Sequence, residues 1–286
     1  MKLSCGDRTL DLARPAVMGI LNLTADSFSD GGHFLGPDGL DLDAVLRRAE
    51  AMVDAGAGIL DLGAESTRPG ASPVPVALEL DRIVAALEAL APRIDAVLSV
   101  DSSAPQVFTA AAAAGAGMLN DVRALSRDGA LQAAAATGLP VCLMHMQGEP
   151  GTMQDDPRYG DVVAEVRAAL STRMEAARFA GIPRERILLD PGFGFGKTLA
   201  HNVELLAELG QIVELGPPVL VGMSRKGMIG RLTGRPLDGR VAGSVAAAAL
   251  AVDRGARILR VHDVAETVDA VAVAAAVDGM APVDDE

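Results

Sequence analysis

Residues 187–198 contain the combination of side chains in this sequence that is best suited to chemistry. Residues 187–189 are an apolar run with strand character, and the run stops abruptly at Asp190. A proline and three glycines follow, with Phe193 and Phe195 between the glycines. Glycines let a backbone turn sharply and approach a ligand closely. A carboxylate beside aromatic rings could bind a flat heterocycle with N–H donors. The alternative is that the segment is only a strand followed by a flexible loop, without a binding role.

The composition limits the classes of protein to which the chain could belong. It has 286 residues, of which 50% are hydrophobic, and a formal net charge of -13. No run of Lys or Arg offers the basic face that nucleic-acid binding needs, so no nucleic-acid partner is expected. Cys5 and Cys142 are far apart, which indicates a reducing compartment rather than a disulfide scaffold. No apolar run is long enough to span a bilayer, so we expect a cytoplasmic protein without a membrane partner.

A pattern of helix, glycine and short strand recurs along the sequence, and it places the polar side chains that could do chemistry. In six places a helical stretch ends in glycine, and a short apolar strand then runs into a polar residue. Residues 17–21 and 96–100 are two further strands of this kind. The polar residues at the ends of the eight strands are Asn22, Asp61, Asp101, Asn120, His145, Asp190, Ser224 and His262. Strands that alternate with helices pair in parallel, so eight units predict a closed (β/α)8 TIM barrel, an α/β fold, with an open doubly wound sheet as the alternative.

The barrel prediction divides the chain into three parts. Residues 1–15 are predicted to form a short N-terminal hairpin that closes the floor of the barrel. Residues 16–280 are predicted to form a single domain, since no linker or shift in composition divides them. Residues 281–286 are an acidic tail. In such barrels the carboxyl ends of all strands meet at one rim, where these enzymes keep their chemistry.

Three polar residues expected at this rim could recognise the edge of a heterocycle. Asp101, Asn120 and Asp190 end the third, fourth and sixth strands. Carboxylates pair with guanidine-like N–H donors, and an asparagine matches an edge with both donors and acceptors. The alternative is that they cap the following helices, for which Asp121 is a better candidate than its neighbour Asn120. His145, at the end of the fifth strand, is interpreted as a core residue, and a position directly behind the residues of the site is the alternative.

Cationic residues end the last two strands. Arg260 and His262 are two apart, so their side chains should share one face of the strand. An arginine inside a barrel without a partner would be costly, so a shared anion such as a diphosphate would relieve both residues. Ser224 and Lys226 follow the seventh strand, at a corner that binds phosphate in many barrels. Mg²⁺ needs few protein ligands when a diphosphate supplies the rest, and Asn22 could provide one oxygen.

Two loops could cover the rim. Residues 22–32 place polar residues around Phe28 and end in two glycines, as in a mobile flap, although an ordinary surface turn is the alternative. Residues 65–71 place Arg68 among hydroxyl groups and beside a proline. Arg68 could equally pair with Glu65 on the surface.

With these residues assembled, the chain resembles the dihydropteroate synthases, the pterin-binding enzyme family of folate biosynthesis. The resemblance extends from Met18 to about Val277. The motifs that carry it, highly specific in this order and spacing, are residues 18–22, 26–32, 65–70, 143–146, 190–198, 222–226 and 260–263. It implies a transferase that joins 6-hydroxymethyl-7,8-dihydropterin diphosphate to 4-aminobenzoate and releases diphosphate, with Mg²⁺ as cofactor. In this family sulfonamides compete for the aminobenzoate site.

The resemblance also implies a role for each residue that matches a family motif. The pterin would be held by Asp101, Asn120, Asp190 and Lys226. The diphosphate would be held by Thr67, Arg260 and His262, and by Asn22 through Mg²⁺. The aminobenzoate side would be formed by Phe28, Thr67, Arg68, Pro69, Phe195 and Ser224. The catalytic set would be Asp30, Arg68, Lys226, Arg260 and His262, in an SN1-like substitution with Asp30 facing the cationic carbon.

Two other functions remain open at this point. A pterin-binding methyltransferase domain shares the barrel and the pterin acids but has no use for a diphosphate site. A catalytically silent paralogue would bind only a pterin or a partner protein. The family is commonly dimeric, so a homodimer is expected, and the Ala-rich segments 241–252 and 268–277 could pack against another copy. Ala25 stands where many family members have proline, which should loosen the first loop.

Overall fold

Eight parallel strands, separated by helices, form the centre of the molecule. The computed structural model describes residues 1–24, 34–36, 39–65 and 74–280. The strands are β1 (Lys2–Cys5), β2 (Arg8–Asp11), β3 (Ala16–Asn22), β4 (Leu35–Gly36), β5 (Gly39–Leu40), β6 (Ile59–Gly63), β7 (Val97–Asp101), β8 (Met118–Asp121), β9 (Val141–Met144), β10 (Ile187–Asp190), β11 (Leu220–Val221) and β12 (Ile258–Val261). The helices are α1 (Leu42–Asp54), α2 (Val76–Leu90), α3 (Pro105–Ala113), α4 (Ala130–Thr137), α5 (Val162–Phe179), α6 (Leu199–Ala207), α7 (Leu209–Val213), α8 (Gly227–Thr233), α9 (Val241–Asp253) and α10 (Val264–Val277).

The central sheet closes on itself. Its strands follow the order β10-β9-β8-β7-β6-β3-β12-β11, and every neighbouring pair is parallel. A parallel bridge between Leu189 of β10 and Val219, just before β11, joins the two ends of this series. The predicted (β/α)8 barrel is therefore confirmed, and the open doubly wound sheet is wrong.

The barrel interior changes from apolar to polar along the strands. Side chains near the amino ends form an apolar layer, each at most 3% exposed: Met18, Ile59, Val97, Met118, Cys142, Leu188, Leu220 and Ile258. Two residues further on, the side chains on the same face include Asp61, Asn120, Asp190 and Arg260. The polar residues thus lie above an apolar layer, nearer the carboxyl ends of the strands.

The predicted N-terminal hairpin is present as the antiparallel pair β1–β2. Leu3 and Cys5 of this hairpin belong to the same apolar cluster as the floor of the barrel, and both are 1% exposed. The cysteines of the chain, Cys5 and Cys142, are buried and unpaired. The division into domains stays a prediction, and residues 281–286 lie outside the described part of the chain.

The predicted glycine ends of the helical stretches are confirmed. All six glycines predicted to end helical stretches have positive φ angles between 68° and 101°: Gly56, Gly115, Gly138, Gly181, Gly216 and Gly255. Helices α7 and α8 are not predicted from the sequence, because short segments that contain glycine carry little helical periodicity. No helix in the described ranges is both long and apolar enough to cross a membrane.

Candidate active site

A cavity of about 570 Å³ opens at the carboxyl ends of the barrel strands. The predicted site residues that line it are Asn22, Asp101, Phe195, Ser224, Lys226, Arg260 and His262. Asn120 and Asp190 do not line the cavity directly, and they are 4% and 6% exposed. The structure therefore brings predicted residues from six strand ends and two loops to one mouth of the barrel.

Five predicted site residues belong to the two covering loops. They are Phe28, Asp30, Thr67, Arg68 and Pro69, and they lie outside the described residues. Their roles, and the effect of Ala25 on the first loop, stay predictions. Glu65, the first residue of the second loop, is described and lines the cavity. It forms a salt bridge of 3.3 Å with Arg123.

Arg260 has two carboxylate partners inside the barrel. Its Nε donates to Asp61 at 2.6 Å, and its Nη2 donates to Asp101 at 2.8 Å. The same oxygen of Asp61 accepts a hydrogen bond of 3.1 Å from the amide of Asn120. The premise that Arg260 lacks a protein partner is therefore wrong, and its binding of a diphosphate stays a prediction.

Asp61 is the residue of this cluster whose role the sequence analysis missed. It is fully buried in β6, between apolar neighbours. Its second carboxylate oxygen, Oδ1, has no hydrogen-bond partner within the described residues. The available signal was an acid inside an apolar strand, because a buried carboxylate needs a cationic partner. The structure shows that Arg260, 199 residues away, is this partner.

The two predicted pterin acids are shifted towards their neutral forms. Burial raises the pKa of Asp101 to about 7, while Arg260 lowers it and Asp61 raises it. Burial also raises the pKa of Asp190, against the opposing charges of Lys226, Lys197 and Arg260 and a hydrogen bond from the Gly192 N–H. These carboxyl groups can therefore change protonation at a less acidic pH than exposed acids do, which suits the recognition of a weakly basic heterocycle.

The glycine-rich loop, residues 191–198, follows β10 and has its carbonyl groups held by side chains. Five consecutive carbonyl oxygens accept hydrogen bonds from side chains. In order from Gly192 to Gly196 the donors are Lys197, Lys226, Gln154, Lys197 again and Tyr159. The alternative of an unconstrained loop therefore fails, because each of these bonds fixes the backbone beside Asp190.

Lys226 connects this loop to the cavity. Its Nζ donates to the Phe193 carbonyl at 2.6 Å and lies 4.5 Å from the centre of the Phe195 ring. Burial lowers the pKa of Lys226 to about 8, although the charge of Asp190 raises it. An ammonium group over an aromatic face is an attractive arrangement. Lys226 thus interacts electrostatically with Asp190 of the predicted pterin side and contacts Phe195 of the predicted aminobenzoate side.

The backbone before Lys226 is held in a rare conformation. Arg225 has a φ of 57°, a value that non-glycine residues seldom adopt. Its N–H donates to Ser244 at 2.9 Å, its carbonyl accepts from Arg240 at 2.9 Å, and its guanidinium pairs with Asp263. These contacts stabilise the strained backbone conformation of Arg225, and such strain is common at functional sites. Because Asp263 neutralises Arg225, we assign Arg225 to positioning this corner.

Ser224, on the other side of this corner, contacts His262. The Ser224 hydroxyl accepts from the His262 N–H at 3.2 Å and lies 3.1 Å from its Nδ1. In the described ranges no group of three or more His, Cys, Asp or Glu could hold a metal ion. Asn22 lines the same cavity as Arg260 and His262. This donor set fits Mg²⁺ only if the remaining ligands come from a diphosphate and water.

His145 and Lys197 form a second contact that the sequence analysis did not predict. His145 is half-buried rather than a fully buried core residue, and its Nδ1 lies 2.9 Å from Lys197 Nζ. Burial and the neighbouring ammonium lower the pKa of His145 to about 3. Burial lowers the pKa of Lys197 to about 7, although Asp190 raises it. Periodicity alone could not indicate where so flexible a lysine side chain points.

Comparison with known proteins matches this geometry. A family model described as pterin binding enzyme matches residues 18–262. The dihydropteroate synthase of Escherichia coli K12 is 53% identical over 273 residues, which cover 96% of this chain and 95% of that protein. This chain belongs to the pterin-binding enzyme family, among the dihydropteroate synthases.

Solved structures of dihydropteroate synthases have the same fold. The Yersinia pestis enzyme in a sulfonamide complex superposes with a TM-score of 0.93 and 52% identity, covering 98% of this chain and 100% of that one. The Xanthomonas albilineans enzyme in complex with 7,8-dihydropteroate has a TM-score of 0.87 and 50% identity, covering 99% and 100%. The resemblance inferred from the motifs is confirmed over nearly the whole chain.

The lowered pKa of Lys197 predicts how stability changes with pH. Between about pH 7 and the ordinary lysine value of 10.5, the unfolded chain holds a proton that the folded chain has released. The free energy of unfolding should therefore rise with pH, by up to about 1.4 kcal/mol per pH unit. Two kinds of group act in the opposite direction because their pKa values are raised: Asp101 near pH 7, and the buried thiols of Cys5 and Cys142 above pH 9.

Urea unfolding between pH 7 and pH 9 measures this effect. The Lys197→Met variant should lose most of the rise that begins near pH 7, and keep only the part due to Lys226 from about pH 8. Equal slopes in the wild type and the variant would show that Lys197 is not the titrating group.

Proposed function

We propose that this chain joins 6-hydroxymethyl-7,8-dihydropterin diphosphate to 4-aminobenzoate, forming 7,8-dihydropteroate and releasing diphosphate. The observation that carries the proposal is that Asp101, Lys226, Arg260 and His262 line one cavity of a closed barrel. The relatives and structural neighbours support it, since they are dihydropteroate synthases and one of them holds the product named here. The methyltransferase and the silent paralogue gain no comparable support.

The pterin would be held at the inner end of the cavity. Asp101 and Asp190 are acceptors when ionised, and the Asn120 amide is oriented because its NH2 donates to Asp61. This orientation turns the Asn120 carbonyl oxygen away from Asp61 and makes it a third acceptor. Three acceptors suit a ring edge that carries amino and amide N–H groups. The Lys226 ammonium supplies the complementary donor beside Asp190.

The leaving diphosphate would lie near Asn22, Arg260 and His262. A bound Mg²⁺ would neutralise part of the charge of the diphosphate as it departs. The guanidinium of Arg260 faces two carboxylates, so its attraction for an anion is weaker than that of an unpaired arginine. We therefore assign Arg260 two roles: it keeps Asp61 and Asp101 in position, and it contributes to holding the leaving group. His262, oriented by Ser224, presents its ring to the same cavity.

The aminobenzoate would lie on the outer side, against Phe195, Ser224 and Lys226. Thr67, Arg68, Pro69 and Phe28 would complete this side, and Asp30 would face the cationic carbon. An early break of the C–O bond requires no nucleophilic side chain. Holding the weakly nucleophilic arylamine in line with that carbon supplies much of the acceleration.

Diphosphate release tests the proposed reaction. The purified chain is mixed with the dihydropterin diphosphate and Mg²⁺, with and without 4-aminobenzoate. Release that depends on the amine, with formation of 7,8-dihydropteroate by mass, is the expected result. Tight pterin binding without release would contradict the proposal and favour a silent or methyltransferase-type protein.

Replacing Lys226 with methionine should weaken the binding of both substrates. Methionine keeps most of the side-chain length but loses the donor to Phe193 and the charge over Phe195. Loss of a charged hydrogen bond costs about 1.5–3 kcal/mol, or about 10- to 150-fold in affinity. Calorimetry with pterin and with 4-aminobenzoate measures each loss, and Lys2→Met at the exposed start of β1 is the matched control. Unchanged affinity for either ligand would contradict the bridging role.

We also propose that the chain is a cytoplasmic homodimer. On α9 and α10, Leu250, Val273 and Val277 are 47%, 67% and 80% exposed, and such apolar surface favours a protein contact. Sedimentation of the wild type and of Val273→Glu tests this. The proposal expects a dimer that the charged variant weakens, and a monomeric wild type would contradict it.

A further inference from the structure

Lys197 holds the glycine-rich loop from the inside. It is 3% exposed. Its Nζ makes three contacts: the Gly192 carbonyl at 2.9 Å, the Phe195 carbonyl at 3.0 Å and His145 Nδ1 at 2.9 Å. No carboxylate in the described part of the chain forms a salt bridge with it. Two carbonyls and an imidazole nitrogen are an unusual environment for a buried ammonium group, which normally has an anionic partner.

These three partners satisfy Lys197 in either of its proton states. A charged ammonium has three N–H donors, and it can donate to both carbonyls and to an unprotonated Nδ1 of His145. A neutral amine has two N–H donors and one lone pair. It can donate to the same two carbonyls while the lone pair accepts from a protonated Nδ1. In both states the Lys197 nitrogen and His145 Nδ1 keep all of these hydrogen bonds.

We propose that Lys197 and His145 are a positioning pair that holds the glycine-rich loop, and with it the ring of Phe195, in both proton states. When Lys197 loses its proton to solvent, the proton of His145 moves from Nε2 to Nδ1. The pair as a whole then carries one proton fewer, and no hydrogen bond to the loop breaks. The expected effect of Phe195 on aminobenzoate binding rests on the proposed function. The coupling between the proton of Lys197 and the proton of His145 does not.

The charged and titratable groups around the pair are consistent with a loss of the Lys197 proton near neutral pH while His145 stays neutral. Asp190 at the end of β10 favours the charged lysine, and Lys226 at the start of α8 opposes it. Tyr159 packs near the imidazole, with ring centres 6.2 Å apart, and His201 in α6 packs against Tyr159. The pKa of Lys197, about 7, places its ionisation near neutrality, and the pKa of His145, about 3, keeps the imidazole neutral throughout.

Nitrogen NMR of the wild-type chain tests the coupling directly. The sequence contains only three lysines, Lys2, Lys197 and Lys226, so each can be followed separately, with Lys2 as the internal reference. The proposal expects the His145 nitrogen signals to change from the Nε2–H to the Nδ1–H tautomer at the midpoint of the Lys197 titration. The exchange protection of the Gly194 and Phe195 amides should stay constant across that midpoint. A fixed His145 tautomer, or a loss of loop protection when Lys197 deprotonates, would overturn the proposal.

Two variants separate positioning from general stability. Lys197→Met should release the loop, with about a tenfold rise in KM for 4-aminobenzoate and a smaller change for the pterin substrate. Tyr159→Phe removes only the hydroxyl that donates to the Gly196 carbonyl, so it should leave the His145 tautomer change intact. An equal rise of both KM values in Lys197→Met would contradict a role at the aminobenzoate side. If the wild type releases no diphosphate, the proposed function fails, but the NMR result still decides whether the pair exists.

Discussion

Replacing Arg260 with alanine is expected to weaken the binding of an unphosphorylated pterin as well as to abolish most turnover. The guanidinium pairs with Asp61 and Asp101, so its loss leaves two buried carboxylates without a cation. Removing one partner of such a buried cluster costs about 3–5 kcal/mol of stability. The pKa of Asp101, already raised to about 7, should rise further, and a protonated Asp101 is a poorer acceptor for the pterin. We expect kcat/KM to fall by at least about 10²- to 10³-fold.

Calorimetry with an unphosphorylated pterin, together with diphosphate release, distinguishes the two roles of Arg260. Arg257→Ala is the matched control, because Arg257 directly precedes β12 and lies at the opposite end of the barrel. It should retain both binding and turnover. If Arg260→Ala loses turnover but binds unphosphorylated pterin normally, Arg260 acts on the leaving group alone, and the positioning of Asp101 by Arg260 is refuted.

Replacing Gly192 with alanine should disrupt the glycine-rich loop. Gly192 has a φ of 71°, and a Cβ at this position would lie 1.8 Å from the carbonyl oxygen of His145. The conformation costs about 1–2 kcal/mol for an L-residue. The steric overlap adds about 1–3 kcal/mol, because the obstacle is backbone and cannot rotate away. The displaced loop would also move the N–H of Gly192 away from Asp190, so pterin binding should fall together with stability.

Urea unfolding and pterin titration measure both effects of Gly192→Ala. Gly210→Ala in α7 is the control, since no atom lies within 4 Å of a Cβ built there. Alanine should stabilise this helical position by about 0.5–1 kcal/mol. A Gly192→Ala variant as stable as the wild type, with unchanged pterin affinity, would show that the loop can move without loss.

Local sequence determined the barrel and the polar residues at the ends of its strands. The period of two along each strand places Asp190 two residues after Leu188, and Arg260 two residues after Ile258, on the face that points into the barrel. Glycines that take positive φ ended the helices where predicted, because few other residues adopt that conformation at low cost. These features depend on neighbours within a few residues, so they can be inferred from one sequence. The substrates were inferred from the family motifs, because hydrophobic periodicity carries no information about substrates.

Tertiary structure decided the partners of the charged groups. Arg260 meets Asp61 and Asp101 across 199 and 159 residues of chain, which only closure of the barrel can bring together. Lys197 turns back onto its own loop and His145, although a lysine at that position could equally have pointed into solvent. The sequence by itself therefore determined which groups reach the rim. The three-dimensional structure determined which of them neutralise one another, because buried charges find partners through space rather than along the chain.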